Sequence, residues 1–327
     1  RPMKLAPLAL LALPALVGCD FRAFTADSTA DMLHAASPQF NTLEDLAFAE
    51  VAAPANLVTM EAVWRVSQHN QDVLVELAQG WTSLGFGFYE DHLERAALAD
   101  NESDTEHWRM RTKAAYLRGR LFGFSLMNER HHADGGPQAV YARGLEPWRQ
   151  YLLQFTTAAD APALYWAGNA WLSWIQQSLD DPGALLDVPF AVALMERVRT
   201  LDEHYNHDGV HGFFGLYYAS TPRDLGGRPD DSRREFETAL RATGRRFLMY
   251  QVWYARTYAV MVQDRALYRR LLEEVIHAGD VFPEERLTNQ VAKRRAMRYL
   301  TQIDTLFGAP EEPASAPAPS AAGEVTP

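Results

Sequence analysis

Cysteine is almost absent from this chain: one, Cys19, in 327 residues. Disulfides and thiolate metal sites are thereby excluded from its chemistry. Alternation of apolar and polar residues with β-branched enrichment is also missing, so no sheet is expected. Positive charge is in deficit, with a formal net charge of −11. That balance argues against a nucleic-acid partner, whose phosphates demand basic patches. There is no H-E-x-x-H, no G-x-S-x-G and no P-loop, and Gly85-Phe86-Gly87 lacks the third glycine of a dinucleotide fingerprint. What the chain has is apolar and aromatic weight, 47% and 11% of residues, enough to fill a large core.

The one cysteine is informative by position. Lys4 precedes an apolar run from Leu5 to Leu16, which leads into Leu16-Val17-Gly18-Cys19. The run is too short to span a bilayer as a mature helix and has the layout of a secretory signal. Its ending resembles a bacterial lipobox, in which the cysteine is lipidated and becomes the mature N-terminus. Several acyl chains give the stable anchoring that a single chain does not. Cys19 is therefore the expected lipidation site, with residues 1–18 as signal peptide. No later stretch reads as long and apolar enough to cross a membrane. The protein is expected to sit on the periplasmic side of a bacterial membrane, and Asp20 after the cysteine favours the inner one.

From residue 56 onward almost everything reads as helix. Residues 19–55 form a lead-in with breaks at Pro38 and Pro54, 56–308 a helical repeat domain, and 309–327 a Pro/Ala-rich tail that cannot form a core. Asn41-Thr42-Leu43-Glu44, Ser103-Asp104-Thr105-Glu106 and Ser232-Arg233-Arg234-Glu235 have capping-box spacing and mark three expected helix starts. Short turns between successive helices predict a stack of antiparallel helical hairpins. Aromatics recur at Trp81, Tyr116, Tyr151, Tyr217 and Tyr254, close to the ~34-residue tetratricopeptide period. The best repeat pairs Phe213, Gly215 and Tyr217 with Phe236, Ala239 and Leu240 across a turn at 221–229. The fold class read from the chain is therefore all-α, with cryptic tetratricopeptide-like repeats.

The most apolar helix is predicted over 161–179, with three tryptophans. Leu164, Ala167, Trp171, Trp174 and Ile175 make one stripe, while Tyr165, Asn169, Leu172 and Gln176 make another. Asn169 is the anomaly, since an unpaired buried amide costs ~1–3 kcal/mol. It either hydrogen-bonds a neighbouring helix or lines a cavity. His211, Phe214 and Tyr218 share a face of a later helix and are either core or an aromatic wall. Tyr165, Trp166, Asn169, His211, Phe214 and Tyr218 are the candidate ligand-lining residues.

Other clusters carry less. His204, His207 and His211 would suit a metal only on one unbroken helix, and Asn206-His207-Asp208-Gly209 is turn chemistry. No metal and no cofactor is expected. Glu90, Asp91, Asp180 and Asp181 read as solvated helix ends, and Lys293, Arg294, Arg295 and Arg298 as a solvated basic face.

Leu164-Tyr165-Trp166-Ala167-Gly168-Asn169-Ala170-Trp171, then Gly212-Phe213-Phe214-Gly215-Leu216-Tyr217-Tyr218, then Phe236-Glu237-Thr238-Ala239-Leu240 resemble, in this order, the T-component family associated with TRAP transporters (TatT-like lipoproteins). The resemblance covers residues 56–307. It implies a periplasmic lipoprotein, a homotrimer, that docks a substrate-binding P-component of a sodium-coupled transporter and shelters or passes an organic or hydrophobic ligand. No catalysis is expected. Two alternatives remain open in the sequence: a periplasmic all-α enzyme acting on carbohydrate or cell wall, with two carboxylates facing across a groove, and a generic repeat scaffold for envelope assembly.

Overall fold

The computed structural model describes residues 21–133, 135–220 and 227–308. The expected lipidation site Cys19, the segment before it, the tail 309–327 and most of the turn after Ser220 lie outside the described residues. The described residues form helices only. They are α1 (Phe21–Ala36), α2 (Pro38–Asn41), α3 (Leu46–Val66), α4 (Gln71–Leu84), α5 (Glu90–Leu98) and α6 (Glu102–Arg130). Next come α7 (Gly136–Tyr141), α8 (Leu145–Leu152), α9 (Ala161–Gln176), α10 (Pro182–Leu185), α11 (Val188–Leu201) and α12 (Tyr205–Ala219). The chain continues through α13 (Pro229–Ala242), α14 (Met249–Tyr254), α15 (Arg265–His277), α16 (Arg286–Leu300) and α17 (Ile303–Phe307). Gly85–Tyr89 and Ala255–Ala259 are π-helical turns, the first joining α4 to α5 and the second extending α14.

Local chemistry explains where helices start, and it differs from the capping-box expectation at all three positions. Asp45 caps α3 by accepting from the Ala47 and Phe48 amides, and Asn101 caps α6 by accepting from Asp104. Ser232 caps nothing: it is buried in the first turns of α13 and donates to the Gly215 carbonyl of α12. The actual caps lie four residues after Asn41 and two before Ser103, and α13 starts at Pro229 with no side-chain cap, shifts that short-range spacing does not reveal. The turn expected before the aromatic helix is present, and it is left-handed: Asn206, His207 and Asp208 have φ of 52°, 58° and 62°. It separates the three histidines. His204 pairs with Asp208, His207 with Glu285 and His211 with Glu235. Among the described residues no group of acids, histidines or cysteines could hold a metal ion.

Pro54 does not end a helix; it lies inside α3. Uninterrupted, that helix of 21 residues is long and apolar enough to cross a membrane, with a mean hydropathy of 1.3 over its most apolar window. This corrects the expectation that nothing after Cys19 has that length. The helix nonetheless docks along the body through Ala49, Leu57 and Met60, and Glu61 takes hydrogen bonds from Trp81 and Arg118. Its other face is open: Phe48, Val51, Ala55, Val58 and Ala62 are exposed.

Two apolar cores organise the packing. In the larger, α4, α6, α9 and α11 lie against one another in succession. The second is built from α13 to α17. Close approach in the first depends on small residues. A Cβ at Gly123 of α6 would stand 2.9 Å from Cα of Ala167 in α9, so the two backbones meet there. Eleven residues of α9 are buried, among them Trp171, whose indole donates to Asp187 at 3.0 Å. Trp174 is only half-buried, so the apolar stripe of α9 is not uniformly interior.

Gly123→Ala is expected to lower stability by about 1–3 kcal/mol, because backbone cannot give way as a side chain can. Gly279→Ala, where a Cβ meets nothing within 4 Å, is the matched control. Urea titration followed by circular dichroism compares them, and equal midpoints would remove the close-approach argument.

Candidate functional site

Between the two cores lies a cavity of about 410 Å³. One wall is the second stripe of α9, where Tyr165, Trp166, Asn169 and Ser173 face it. The opposite wall is α14 and its π-helical turn, with Tyr250, Trp253, Arg256 and Thr257. Parts of α3, α4 and α16 and the first π-helical turn close the sides, including Leu57, Gly80, Phe86 and Val291. Both π-helical turns therefore border the same space. Such turns widen the helix and expose backbone groups, and they recur at functional sites.

Three of the six candidate residues meet here. The Tyr165 hydroxyl accepts from Asn206 at 3.0 Å, and Asn169 hydrogen-bonds it as well. Burial pushes the Tyr165 phenol up to about 12, so it remains a neutral hydroxyl at any physiological pH. The Trp166 indole donates to Tyr205 at 3.0 Å. Tyr165 lies over Gly209, where a Cβ would meet its ring at 2.7 Å, so the left-handed turn and the α9 stripe fit as one unit. Asn169 is half-buried at the cavity wall, and its amide has a partner.

The other three candidates stand elsewhere, and none of them borders the cavity. His211 meets Glu235 at 2.6 Å, Phe214 packs under the Arg199 guanidinium at 4.1 Å, and Tyr218 packs under Arg228 at 4.1 Å. These contacts tie α12 to α11 and α13. A shared helical face could not tell this seam from a cavity wall, because both place aromatics at the same spacing.

The strongest electrostatic feature runs against the sequence reading. Arg294, Arg295 and Arg298 of α16 are not a solvated face, and Glu90 and Asp91 are not solvated helix ends. Arg295 is fully buried and bonds Glu90 at 3.1 Å, with Glu94 at 3.7 Å and the Phe86 carbonyl also in reach. Arg298 holds Asp91 and Glu94, and Arg294 reaches Asp91 and the Gly87 carbonyl. Glu90 also accepts from Tyr116 and Gln177, and Glu94 from Tyr299. Burial raises the Glu90 pKa despite Arg295. At Glu94 burial acts the same way, but Arg295 and Arg298 together outweigh it and the pKa is lowered. Both glutamates border the cavity, yet they sit one helical turn apart on α5 with their oxygens taken by internal partners. That is not the arrangement of two carboxylates across a cleft that glycoside cleavage uses.

Two outcomes follow from this geometry. The folded pKa of Glu94 is depressed, so its stabilisation is present above the ordinary carboxylate range, about 4.3. It is lost as pH falls through the folded value. Glu94→Gln should therefore melt lower than wild type at neutral pH, with the gap narrowing in acid; a gap independent of pH would contradict the assignment. Asn169→Leu should cost about 1 kcal/mol or less, because Asn206 still satisfies Tyr165. A thermal melt several degrees lower would instead make Asn169 a structural residue.

A family model described as the TRAP transporter T-component (TAtT) matches residues 42–307. No curated protein matches the chain. The match begins just ahead of α3 and ends at the last residue of α17, so it takes in both cores and every wall of the cavity named above. The chain belongs to the T-component family of TRAP transporters and is a non-catalytic accessory subunit of such a transporter.

Proposed function

We propose that this T-component is lipid-anchored through Cys19 on the periplasmic side of a bacterial membrane, the inner membrane by preference. There it docks a substrate-binding P-component and shelters an organic, largely apolar ligand in the cavity between its two cores. The observation that carries the ligand reading is the cavity itself. Its volume lies in the range of small-molecule sites, and it has aromatic walls at Trp166, Phe86, Tyr250 and Trp253. The apolar run Leu5 to Leu16 ahead of Cys19 supports the anchor, and the apolar open face of α3 suits a location beside a membrane or a partner helix. The working form is a homotrimer, an expectation that comes from the family resemblance. The helix pairing is of the tetratricopeptide kind, supported by α12 against α13, where Gly215 lets the Phe236 ring approach within 2.8 Å of a Cβ position.

The test is co-expression with a TRAP substrate-binding P-component from the same organism, followed by detergent extraction. The two proteins should co-purify, Cys19→Ser should move the T-component from the membrane to the soluble fraction, and native mass spectrometry should give three copies. Failure to recover a P-component whose expression is verified would overturn the docking reading. Unchanged membrane association of Cys19→Ser would overturn the anchor.

A further inference from the structure

We infer that α1 and α2 form a strap over the cavity, and that a ligand enters and leaves when α2 lifts from the seam between the cores. This rests on the cavity being a ligand site, as proposed above, and adds how access to that site is controlled. Both helices lie ahead of the matched residues 42–307. Ser37, Phe40 and Asn41 are nevertheless part of the cavity wall.

Little apolar surface holds this stretch of wall. α2 has no buried residue, and in α1 only Ala26 and Ala30 are buried among the described side chains. Pro38 and Gln39 are exposed, so α2 is a single layer with the cavity on one side and solvent on the other. α3 is also open on its outer face, but it is docked through buried Ala49, Leu57 and Met60. The other helical walls, α4, α9, α14 and α16, each contribute buried residues to a core. Segments with few buried apolar contacts open locally while the rest of the fold stays intact.

The ties that do hold the strap are polar, and they reach both sides of the seam. On α4, Glu76 meets His34 at 2.7 Å and accepts from Ser37 at 2.8 Å. On the other side Asn41 donates to Glu285 at 3.4 Å, and Arg286 donates to the Thr42 carbonyl at 2.9 Å. Lifting α2 opens these groups to water, which replaces the lost bonds at small net cost. Glu285 also keeps His207 and Thr288. The chain has a break on each side of α2. Pro38 has no amide to continue the ladder of α1, and residues 43–45 are non-helical. Further back, Asp27 accepts from Ser67 and Asn70, which fastens α1 while α2 moves. α1 begins two residues after Cys19, so the proposed anchor leads directly into the strap.

A reversible cross-link in the full-length chain tests the strap. Asn41→Cys and Glu285→Cys in a Cys19→Ser background place the only two thiols across the seam. A bismaleimide with a disulfide in its spacer then joins them. The probe is N-phenyl-1-naphthylamine, an uncharged apolar fluorophore, followed by stopped-flow energy transfer from tryptophan, since Trp166 and Trp253 border the cavity. Uptake and release should both be at least about tenfold slower in the cross-linked form, and reduction of the spacer should restore both rates. Equal rates before and after reduction overturn the strap as the gate and leave the cavity a ligand site. Failure of the probe to bind either the wild type or the reduced variant overturns both readings. Hydrogen exchange on the unsubstituted protein serves if the variant does not fold. The Phe40, Thr42 and Leu43 amides, bonded within the strap, should exchange at a rate independent of low denaturant, while those of α4 and α16 follow global unfolding. Strap amides protected as strongly as those of α4 overturn the lifting.

Discussion

The arginine–carboxylate cluster between α16 and α5 is the constraint on which the rest of the structure depends. Arg295 and Glu90 are separated by 205 residues, and their contact fastens the end of the second core to the first. Burying such charges is expensive, and attraction offsets the cost only where geometry is good and the remaining donors and acceptors are satisfied. Here many are: Tyr116, Gln177 and Tyr299 donate to the glutamates, and two arginines bond carbonyls of the first π-helical turn, while the Nε of Arg294, Arg295 and Arg298 and one Asp91 oxygen make no hydrogen bond among the described residues. The cluster therefore works as a latch whose geometry specifies how the two cores meet.

The cavity is what remains between the cores once that latch is closed. Each core fills its own interior with aromatics and brings helices close through small residues, as at Gly123 against Ala167. Where the two cores face each other, the π-helical turns shift the helix register. The second of them carries Arg256 and Thr257 at the rim of the space, and the first presents Phe86 and Gly87 to it. A well-packed interior leaves few voids larger than a water, so a cavity of this size at the seam is a feature of the architecture. In the function proposed above, this space, bordered by aromatics and one cation without a partner among the described residues, is where a cargo is held.

The helical class, the turn at Asn206 to Asp208 and the placement of Tyr165, Trp166 and Asn169 on one cavity wall were all legible in the residues. Periodicity and turn chemistry are local, and they survive whatever the rest of the chain does. His211, Phe214 and Tyr218 show the limit of that reasoning: their face is real, but it meets Glu235, Arg199 and Arg228 from helices that periodicity cannot position. Pro54 shows another limit, since α3 runs through it.

By itself the sequence determined the all-helical class, the absence of thiol chemistry beyond Cys19 and, through its aromatic motifs, the family. Those follow from composition and from spacings of a few residues. Only the tertiary structure decided that Arg294, Arg295 and Arg298 are interior, that Glu90 and Asp91 are their partners, and that Arg256 alone among the cavity's charges lacks one among the described residues. The reason is physical. A charged side chain looks the same in sequence whether it faces water or a counter-ion two hundred residues away, and burial, which separates the two cases, belongs to the assembled chain.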